Sequence, residues 1–393
     1  PLLFHINRPL LPGFVTRETP AGVSGYSPGE TALRAAAQLA RSFDHKRTVP
    51  RRYDVEALFL IGSAGTIAYS RKSDFDIWLC HREDLTAPER DALQDKAERI
   101  TAWAGERDLE VHFFPMAASA FRTGDIDALS SESSGTAQRH LLLDEFYRTS
   151  LLVAGRYPLW WLVPPAEEVR YGDYAARLQD QRFIKPGEAI DLGGIPEVPA
   201  NEFFGATLWQ LYKAMGSPYK SLLKILLLET YAAEFPDIRL LSHAYKERIY
   251  AGEVARHQVD PYIMLFDKVE AYLQEQQDPK RLRLARHAFF HRVGHNLEGR
   301  RAGDWRRDYV RAIAGRWEWS AAEQEASAPG GRETRLEQAL EERSLLMNAL
   351  MRSYRYLSRF ARGRGELAAI SQQDMNVLGR RLFAAFERKA GKV

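Results

Sequence analysis

Three segments in the first third of the chain carry residues that could bind a phosphate and divalent metal ions. An apolar run, Glu56–Ile61, ends at Gly62-Ser63, and Asp74-Phe75-Asp76 opens a second apolar run eleven residues after Ser63. Residues i and i+2 of a strand point to the same face, so we expect Asp74 and Asp76 to lie side by side. A third acid, Glu110, stands in a later apolar run.

These residue types indicate metal-assisted phosphate chemistry. Three carboxylates at one sheet edge repel one another unless a cation lies among them. Their oxygen atoms favour Mg²⁺, with Mn²⁺ able to substitute, and two such ions about 4 Å apart can bind the attacking and leaving oxygens of a phosphoryl or nucleotidyl displacement. Gly62 lets the backbone approach a phosphate, and the Ser63 hydroxyl can donate to it. Each motif alone is common without such a function, so the hypothesis rests on their combination.

The elements that would position these residues form a small mixed sheet with helices against it, an α+β arrangement. The predicted elements of the first half are strands at Glu56–Ile61, Asp74–Leu79, Leu109–Phe114 (ended by Pro115) and Leu159–Val163, helices at Ala87–Arg107 and 137–154, and a loop-rich stretch at 164–200. From Asn201 onward only helical patterns occur. The clearest predicted helices are Gly205–Met215, Pro218–Glu234, Glu333–Arg362 and Gln372–Lys389.

The helical half offers cations for a polyphosphate. Lys213 ends one predicted helix, and Ser217-Pro218-Tyr219-Lys220 opens the next. A helix N-terminus that carries a Ser and a Lys is suited to bind an anion, so Lys213, Ser217, Tyr219 and Lys220 are candidate ligands, with Lys224 one turn further. The alternative is a capping serine and solvated lysines. His287, His291 and His295 share a helical face, and we interpret them as surface or interface histidines.

Composition bears on the partners and on the cellular location that we expect for this protein. Lys and Arg number 55 and Asp and Glu 52, a net charge of +3, so the overall charge gives no reason to expect a nucleic-acid partner. Residues 280–318, the basic stripe, hold eleven Lys/Arg and four Asp/Glu, which is more typical of a solvated face or an ion-pair layer than of a nucleic-acid groove. The single cysteine, Cys80, predicts a cytoplasmic location, and no apolar run is long enough to span a bilayer. Because the chain starts at Pro1, we expect it to be part of a longer protein.

The order of strand, Gly-Ser turn, Asp-x-Asp strand, helix and acidic strand resembles the nucleotidyltransferase superfamily typified by DNA polymerase beta. Longer strings resemble the class I adenylate cyclases of gamma-proteobacteria, from the Pro-Leu-Leu-Pro-Gly segment near the start to the final Gly391-Lys392-Val393. These strings are Ser73–His81, Leu141–Arg148, Phe204–Lys213, Ser217–Lys224, Asp260-Pro261-Tyr262 and Trp305-Arg306-Arg307.

The resemblance implies conversion of ATP to 3′,5′-cyclic AMP and pyrophosphate with two Mg²⁺ ions. Asp74 and Asp76 would bind both ions, and Glu110 would hold the ion nearest the ribose 3′-hydroxyl. The remaining ATP contacts are expected from Gly62, Ser63, Ser73, Lys213, Ser217, Tyr219 and Lys220. In full-length members, a further C-terminal region carries regulation by the sugar phosphotransferase system.

The expected domains follow from the same resemblance. They are an irregular N-terminal arm (1–30), a polymerase-beta-like nucleotidyltransferase domain (31–165), a linker (166–200), a helical domain completing the ATP site (201–325) and C-terminal helices (333–393).

Two other functions stay open at this point. A nucleotidyltransferase of the same fold would move AMP to a separate acceptor, which could be RNA, a protein or a small molecule. A binding module would hold a nucleotide without turning it over, although such modules commonly lack one of the carboxylates that this chain retains.

Overall fold

The computed structural model describes residues 1–40, 43, 52–71, 73–123, 138–253, 255–294, 303–320, 323–324, 327 and 336–364. His295 and the predicted helix at 372–389 lie outside the described residues. A small mixed sheet precedes a mostly helical part, which confirms the predicted α+β class. The chain divides into two compact units. Unit 1 comprises Pro1–Ala64, Arg71–Thr136 and Thr149–Pro196, and unit 2 comprises Gly65–Ser70, Ala137–Arg148 and Glu197–Val393.

A four-stranded sheet lies at the centre of unit 1. Its strands are β1 (Val55–Ile61), β2 (Phe75–His81), β3 (Val111–Ala117) and β4 (Leu151–Gly155), in the spatial order β3-β2-β1-β4. β1 is antiparallel to β2 and β4, whereas β2 and β3 are parallel. The first three predicted strands are therefore present, with ends that differ from the predicted ones by at most three residues.

Pro115 does not end the third strand, contrary to the prediction. It pairs with Leu79 in the middle of β3. Proline is tolerated there because β3 lies at the edge of the sheet, so its missing amide removes no ladder hydrogen bond on the outer side.

One face of the sheet is covered by α3 (Ala87–Gly105), which matches the predicted helix. Thr86 and Glu89 cap its first turn with reciprocal hydrogen bonds. The helix buries Leu93 and Ala97 at helical spacing, in the same core as Leu58 of β1. The N-terminal segment, which contains the short helices α1 (Leu2–His5) and α2 (Glu30–Leu39), adds Phe4 and Val23 to the core.

The predicted helix at 137–154 is too long. The helix α5 spans Arg139–Thr149, and the next residues form β4 against β1. Gly155 ends that strand at φ +101, where a β-carbon would lie 2.3 Å from the carbonyl oxygen of Glu56. Close pairing of two backbones therefore overrides the helical pattern of the leucines.

The predicted strand at 159–163 is also wrong. The chain forms only β5 (Tyr157–Pro158) and then a 3₁₀ helix at Leu159–Leu162. This helix buries Trp160, whose indole donates to Glu168 at 2.8 Å. The stretch 164–200, predicted to be rich in loops, contains a second 3₁₀ helix (Pro165–Arg170), α6 (Tyr171–Asp180) and β6 (Ala189–Ile190). Another short helix of unit 1, α4 (Ala118–Thr123), directly follows β3.

Unit 2 is built from helices around α8. Besides α5, they are α7 (Ala200–Ala214), α8 (Pro218–Glu234), α9 (Leu241–Tyr250), α10 (Pro261–Glu275), α11 (Pro279–Gly294), α12 (Trp305–Arg316) and α13 (Leu336–Arg362). α8 packs against α7, α10, α11 and α13 and is buried on almost all sides from Ser221 to Ala232, as expected for a central helix. None of the helices in the described part of the chain has the length and apolar character needed to cross a membrane.

A buried ion pair lies within this helical core. Glu229 of α8 is 3% exposed and receives two hydrogen bonds of 2.8 Å from the Arg281 guanidinium. Tyr272 and Ser353 also donate to the same carboxylate, at 3.0 and 2.6 Å. Arg281 in turn donates to Asp278 at 2.9 Å. The network connects α8, α10, α11 and α13, and each charge has its partners.

We predict that Arg281→Met destabilises the protein by about 3–5 kcal/mol, because it leaves the Glu229 charge buried without a counterion. Urea denaturation followed by circular dichroism measures the change. The matched control is Arg283→Met on the same helix, since Arg283 is 77% exposed and pairs only at the surface with Glu323. The control is expected to cost less than about 1 kcal/mol. Equal losses in the two variants would contradict the prediction.

Candidate active site

The Gly-Ser turn at the end of β1 has the geometry that a close backbone approach requires. Gly62 adopts φ +97, a conformation that side chains disfavour, although the space beside it is open. The Ser63 hydroxyl donates to the Ser73 hydroxyl at 3.1 Å. This contact brings the turn next to the residue that precedes Asp74, so the two serines implied by the resemblance are neighbours.

The strand register puts the backbone positions of the three predicted carboxylates at the start of β2 and of β3, beside the end of β1. Asp76 pairs with Ile61 of β1 on one side and with His112 of β3 on the other. The amide of Phe75 donates to the Glu110 carbonyl at 2.9 Å, which continues the β2–β3 ladder back toward Asp74. Residues at alternate positions share a face, so Asp74, Asp76 and Glu110 belong to one face of the sheet.

His112 is a neighbour of these candidate ligands that sequence reasoning missed. Its Nε2 atom lies 3.3 Å from a carboxylate oxygen of Glu110, and it faces Asp76 across the ladder. The signal was present in the sequence, since His112 follows Glu110 by two residues in the same strand and therefore shares its face.

The carboxylates fit a hard divalent ion by chemistry, but their side chains are not gathered into one cluster. Asp74 and Asp76 are half-buried, whereas the Glu110 side chain is 69% exposed. Across the part of the chain that the structure describes, no group of three or more His, Cys, Asp or Glu side chains is arranged to hold a metal ion. Binding of an ion by all three acids therefore requires at least one of their side chains to change position.

The predicted polyphosphate ligands of unit 2 lie around the junction of α7 and α8. The Lys213 ammonium group lies 4.9 Å from the centre of the Trp209 ring. Ser217 is the N-cap residue of α8, with Pro218 in the first turn, but its hydroxyl makes no capping hydrogen bond. The structure thus brings Lys213 and Ser217 together at one helix junction, where the Ser217 amide donates to the Lys213 carbonyl at 3.0 Å.

Tyr219 and Lys220 follow in the first turn of α8 and are half-buried. The Tyr219 ring lies 5.7 Å from the His287 ring and 4.4 Å from the His291 ring. These two histidines, predicted at a surface or interface, are thus partly buried against Tyr219.

Two lysines of α8, Lys220 and Lys224, interact with the carboxylate of Glu145 in α5. Lys224 donates to both of its carboxylate oxygens, at 2.7 and 2.9 Å. Burial alone would raise the pKa of Glu145, but Lys224, Arg148 and, more weakly, Lys220 outweigh it and lower the pKa to about 2. Lys224 is therefore engaged in an ion pair within unit 2.

Three cations in the described part of the basic stripe are engaged in ion pairs with buried carboxylates. Arg281 pairs with Glu229, and Arg286 and Arg316 both contact Glu270, at 2.7 and 3.2 Å. These three arginines therefore contribute to the packing of unit 2.

Comparison with known proteins gives matches along nearly the whole chain. Residues 1–161 match the family described as adenylate cyclase NT domain, and residues 198–393 match the family described as adenylate cyclase, class-I, second domain. Proteins named adenylate cyclase from Salmonella typhimurium and from Escherichia coli K12 are each 39% identical over 396 residues, which is all of this chain and 47% of the relative. The adenylate cyclase of Proteus mirabilis is 37% identical over 401 residues and is covered to 46%.

The chain thus spans about half the length of the curated relatives that it matches. Both halves of the chain match successive domains of one family, and the identity extends over its full length. The chain belongs to the class-I adenylate cyclase family.

Proposed function

We propose that this chain is the catalytic portion of an adenylate cyclase, which converts ATP to 3′,5′-cyclic AMP and pyrophosphate. Family membership across the whole chain is the observation that carries the proposal. The juxtaposition of the Gly62-Ser63 turn, Ser73 and the two aspartates at the start of β2 supports it, because these are the residue types that a nucleotide phosphate and its metal ions need. The choice of ATP rests on the family.

In the proposed mechanism, the ribose 3′-oxygen attacks the α-phosphorus of the same ATP. The bond from the α-phosphorus to the oxygen that bridges the β-phosphorus breaks, and pyrophosphate leaves. The Gly62 backbone and the hydroxyls of Ser63 and Ser73 would donate to phosphate oxygens. Lys213, Ser217, Tyr219 and Lys220 are the other proposed triphosphate ligands, and the two lysines would balance the phosphate charge.

Two Mg²⁺ ions are the cofactors of this proposal. Asp74 and Asp76 would hold both ions, and Glu110 would hold the one nearest the 3′-hydroxyl and help to remove its proton. When bound, the ions lower the pKa of that hydroxyl and neutralise charge on the leaving pyrophosphate. His112 would keep the Glu110 carboxylate oriented through the 3.3 Å contact between their side chains.

Regulation by a sugar phosphotransferase protein through a further C-terminal region stays a prediction from the resemblance, as does a cytoplasmic location.

The proposal predicts a product without any acceptor. Incubation of the purified chain with ATP labelled at the α-phosphorus and Mg²⁺ is expected to give labelled cyclic AMP and unlabelled pyrophosphate, separated by chromatography. The same reaction with added RNA, protein or small alcohols tests AMP transfer. Label that enters an added acceptor, with no cyclic AMP formed, would overturn the cyclase proposal in favour of a nucleotidyltransferase.

Asp76→Asn is expected to lower the rate of cyclic AMP formation by about 100-fold or more, because it removes a charged ligand from the reacting centre. Its thermal denaturation should match that of the wild type, since Asp76 is half-buried and lies at a sheet end. The control is Asp91→Asn, the same chemical change at an exposed position of α3. Retained turnover in Asp76→Asn is the result that refutes the assignment.

Lys220→Ala is expected to raise the Michaelis constant for ATP by about 10-fold or more, because a charge-assisted contact with phosphate contributes about 1.5–3 kcal/mol. Steady-state kinetics measures it beside Lys280→Ala, which removes an exposed lysine at the start of α11. An unchanged Michaelis constant and turnover in Lys220→Ala would remove this residue from the proposed site.

A further inference from the structure

The middle of the loop that joins the Gly-Ser turn to the Asp-x-Asp strand is buried, which is unusual for a connection. Within the segment Gly65–Ser70, Thr66 is 3% exposed, and Ile67 and Ala68 are each 1% exposed. Loops normally run over the surface because their backbone polar groups need water. A buried loop must instead find protein partners for its amides and carbonyls, and the identity of those partners shows what holds it.

The partner of the Ile67 amide is a carboxylate from far along the chain. The Ile67 N–H donates to Oδ2 of Asp260 at 2.7 Å, across 193 residues of sequence. Asp260 is 3% exposed, and both residues belong to unit 2. Burial raises the pKa of Asp260 to about 6, against three backbone amides that lower it, so the carboxylate is held at this place by directed hydrogen bonds.

The two oxygens of Asp260 perform different tasks. Oδ1 accepts from the amides of Tyr262 and Ile263, at 2.9 and 3.0 Å, and so caps the N-terminus of α10. Oδ2 accepts from the Ile67 amide of the loop. A serine would be sufficient for a cap alone, because one side-chain oxygen can accept from the first turn. The second oxygen therefore provides a contact that capping does not explain.

The loop held by Asp260 connects two groups of proposed site residues. Ser63 precedes Gly65 by two positions, and Ser73 and Asp74 follow Ser70 by three and four. Ile67 lies between these ends, so its backbone constrains both through the covalent chain. A loop fixed at its midpoint has fewer conformations than one fixed only at its ends.

We propose that Asp260 is a positioning residue for the reaction: it clamps the loop Gly65–Ser70 and thereby fixes the backbone that carries the phosphate-binding serine and the first metal-binding aspartate. This inference rests on the proposed function. Asp260 touches no reacting atom in this scheme. Its loss would remove the carboxylate that accepts from the buried Ile67 amide and so loosen the loop, and displacement of reacting groups by about 1 Å can cost about 100-fold in rate.

The test distinguishes the hydrogen bond of Asp260 to Ile67 from its capping of α10. Asp260→Ser keeps an acceptor for the first turn of α10 but is too short to reach Ile67. The matched control is Asp304→Ser, which shortens the N-cap of α12, where the aspartate accepts from the Arg306 amide at 3.0 Å. Two readouts apply to both variants of the 393-residue chain: steady-state cyclic AMP formation, and amide hydrogen exchange of peptides that contain Ile67.

We expect Asp260→Ser to lower kcat by about 10- to 100-fold with a smaller change in the Michaelis constant for ATP, because geometry at the reacting centre is lost rather than substrate affinity. Exchange at Ile67 should become faster in Asp260→Ser and stay at the wild-type rate in Asp304→Ser. If Asp260→Ser does not fold, Asp260→Asn gives the same readouts, since its single acceptor oxygen cannot serve both α10 and Ile67.

Wild-type exchange at Ile67 together with wild-type kcat in the Asp260 variants would overturn the proposal, as would equal losses of kcat in the Asp304 control. A wild-type chain that makes no cyclic AMP from ATP and Mg²⁺, but whose Ile67 exchange still responds only to Asp260, would instead refute the proposed function and leave the clamp in place.

Discussion

The backbone hydrogen bonds of β2 to both of its neighbours determine where every candidate ligand of unit 1 lies. Ile61, Asp76 and His112 occupy facing positions on three adjacent strands. A slip of one residue in either ladder would turn Asp74 and Asp76 to the opposite face and away from the Gly62 turn. The aliphatic residues of β1 and β2 oppose such a slip, because it would remove Leu58 and Leu79 from the core that they share with α3. Packing of one face of the sheet against α3 thus fixes which residues lie on the opposite face.

Much of this arrangement follows from local sequence. The strands near Gly62 and Asp76 and the helix Pro218–Glu234 could be predicted because each has an unambiguous period and a clear end signal. The wrong predictions occur where contact with a residue distant in sequence determines the local structure. Leu151–Gly155 has a helical pattern but pairs with β1, and Trp160 is placed by a hydrogen bond to Glu168 rather than by a strand. Neither partner can be seen in a short window of sequence.

The candidate site shows the same division. Residue types and spacing were sufficient to select Asp74, Asp76 and Glu110, because period-two alternation is a local property. The contact of His112 with Glu110 and the hydrogen bond from Ile67 to Asp260 depend on neighbours that only the fold supplies. The ion pair of Lys224 with Glu145 likewise joins α8 to α5 across 79 residues. Charges that serve structure and charges that could serve chemistry therefore look alike in sequence and differ in their partners.

The division of the chain into interleaved segments limits how the protein can be dissected. Unit 2 takes Gly65–Ser70 and Ala137–Arg148 from within the span of unit 1. No single cleavage point can therefore release either unit intact. A truncation after Pro196 would separate α5 from the other helices of unit 2, and it would remove Asp260, the hydrogen-bond partner of Ile67. Exchange of unit 2 between relatives would require all three of its chain segments to be exchanged together. The two units are therefore expected to be inherited as one piece.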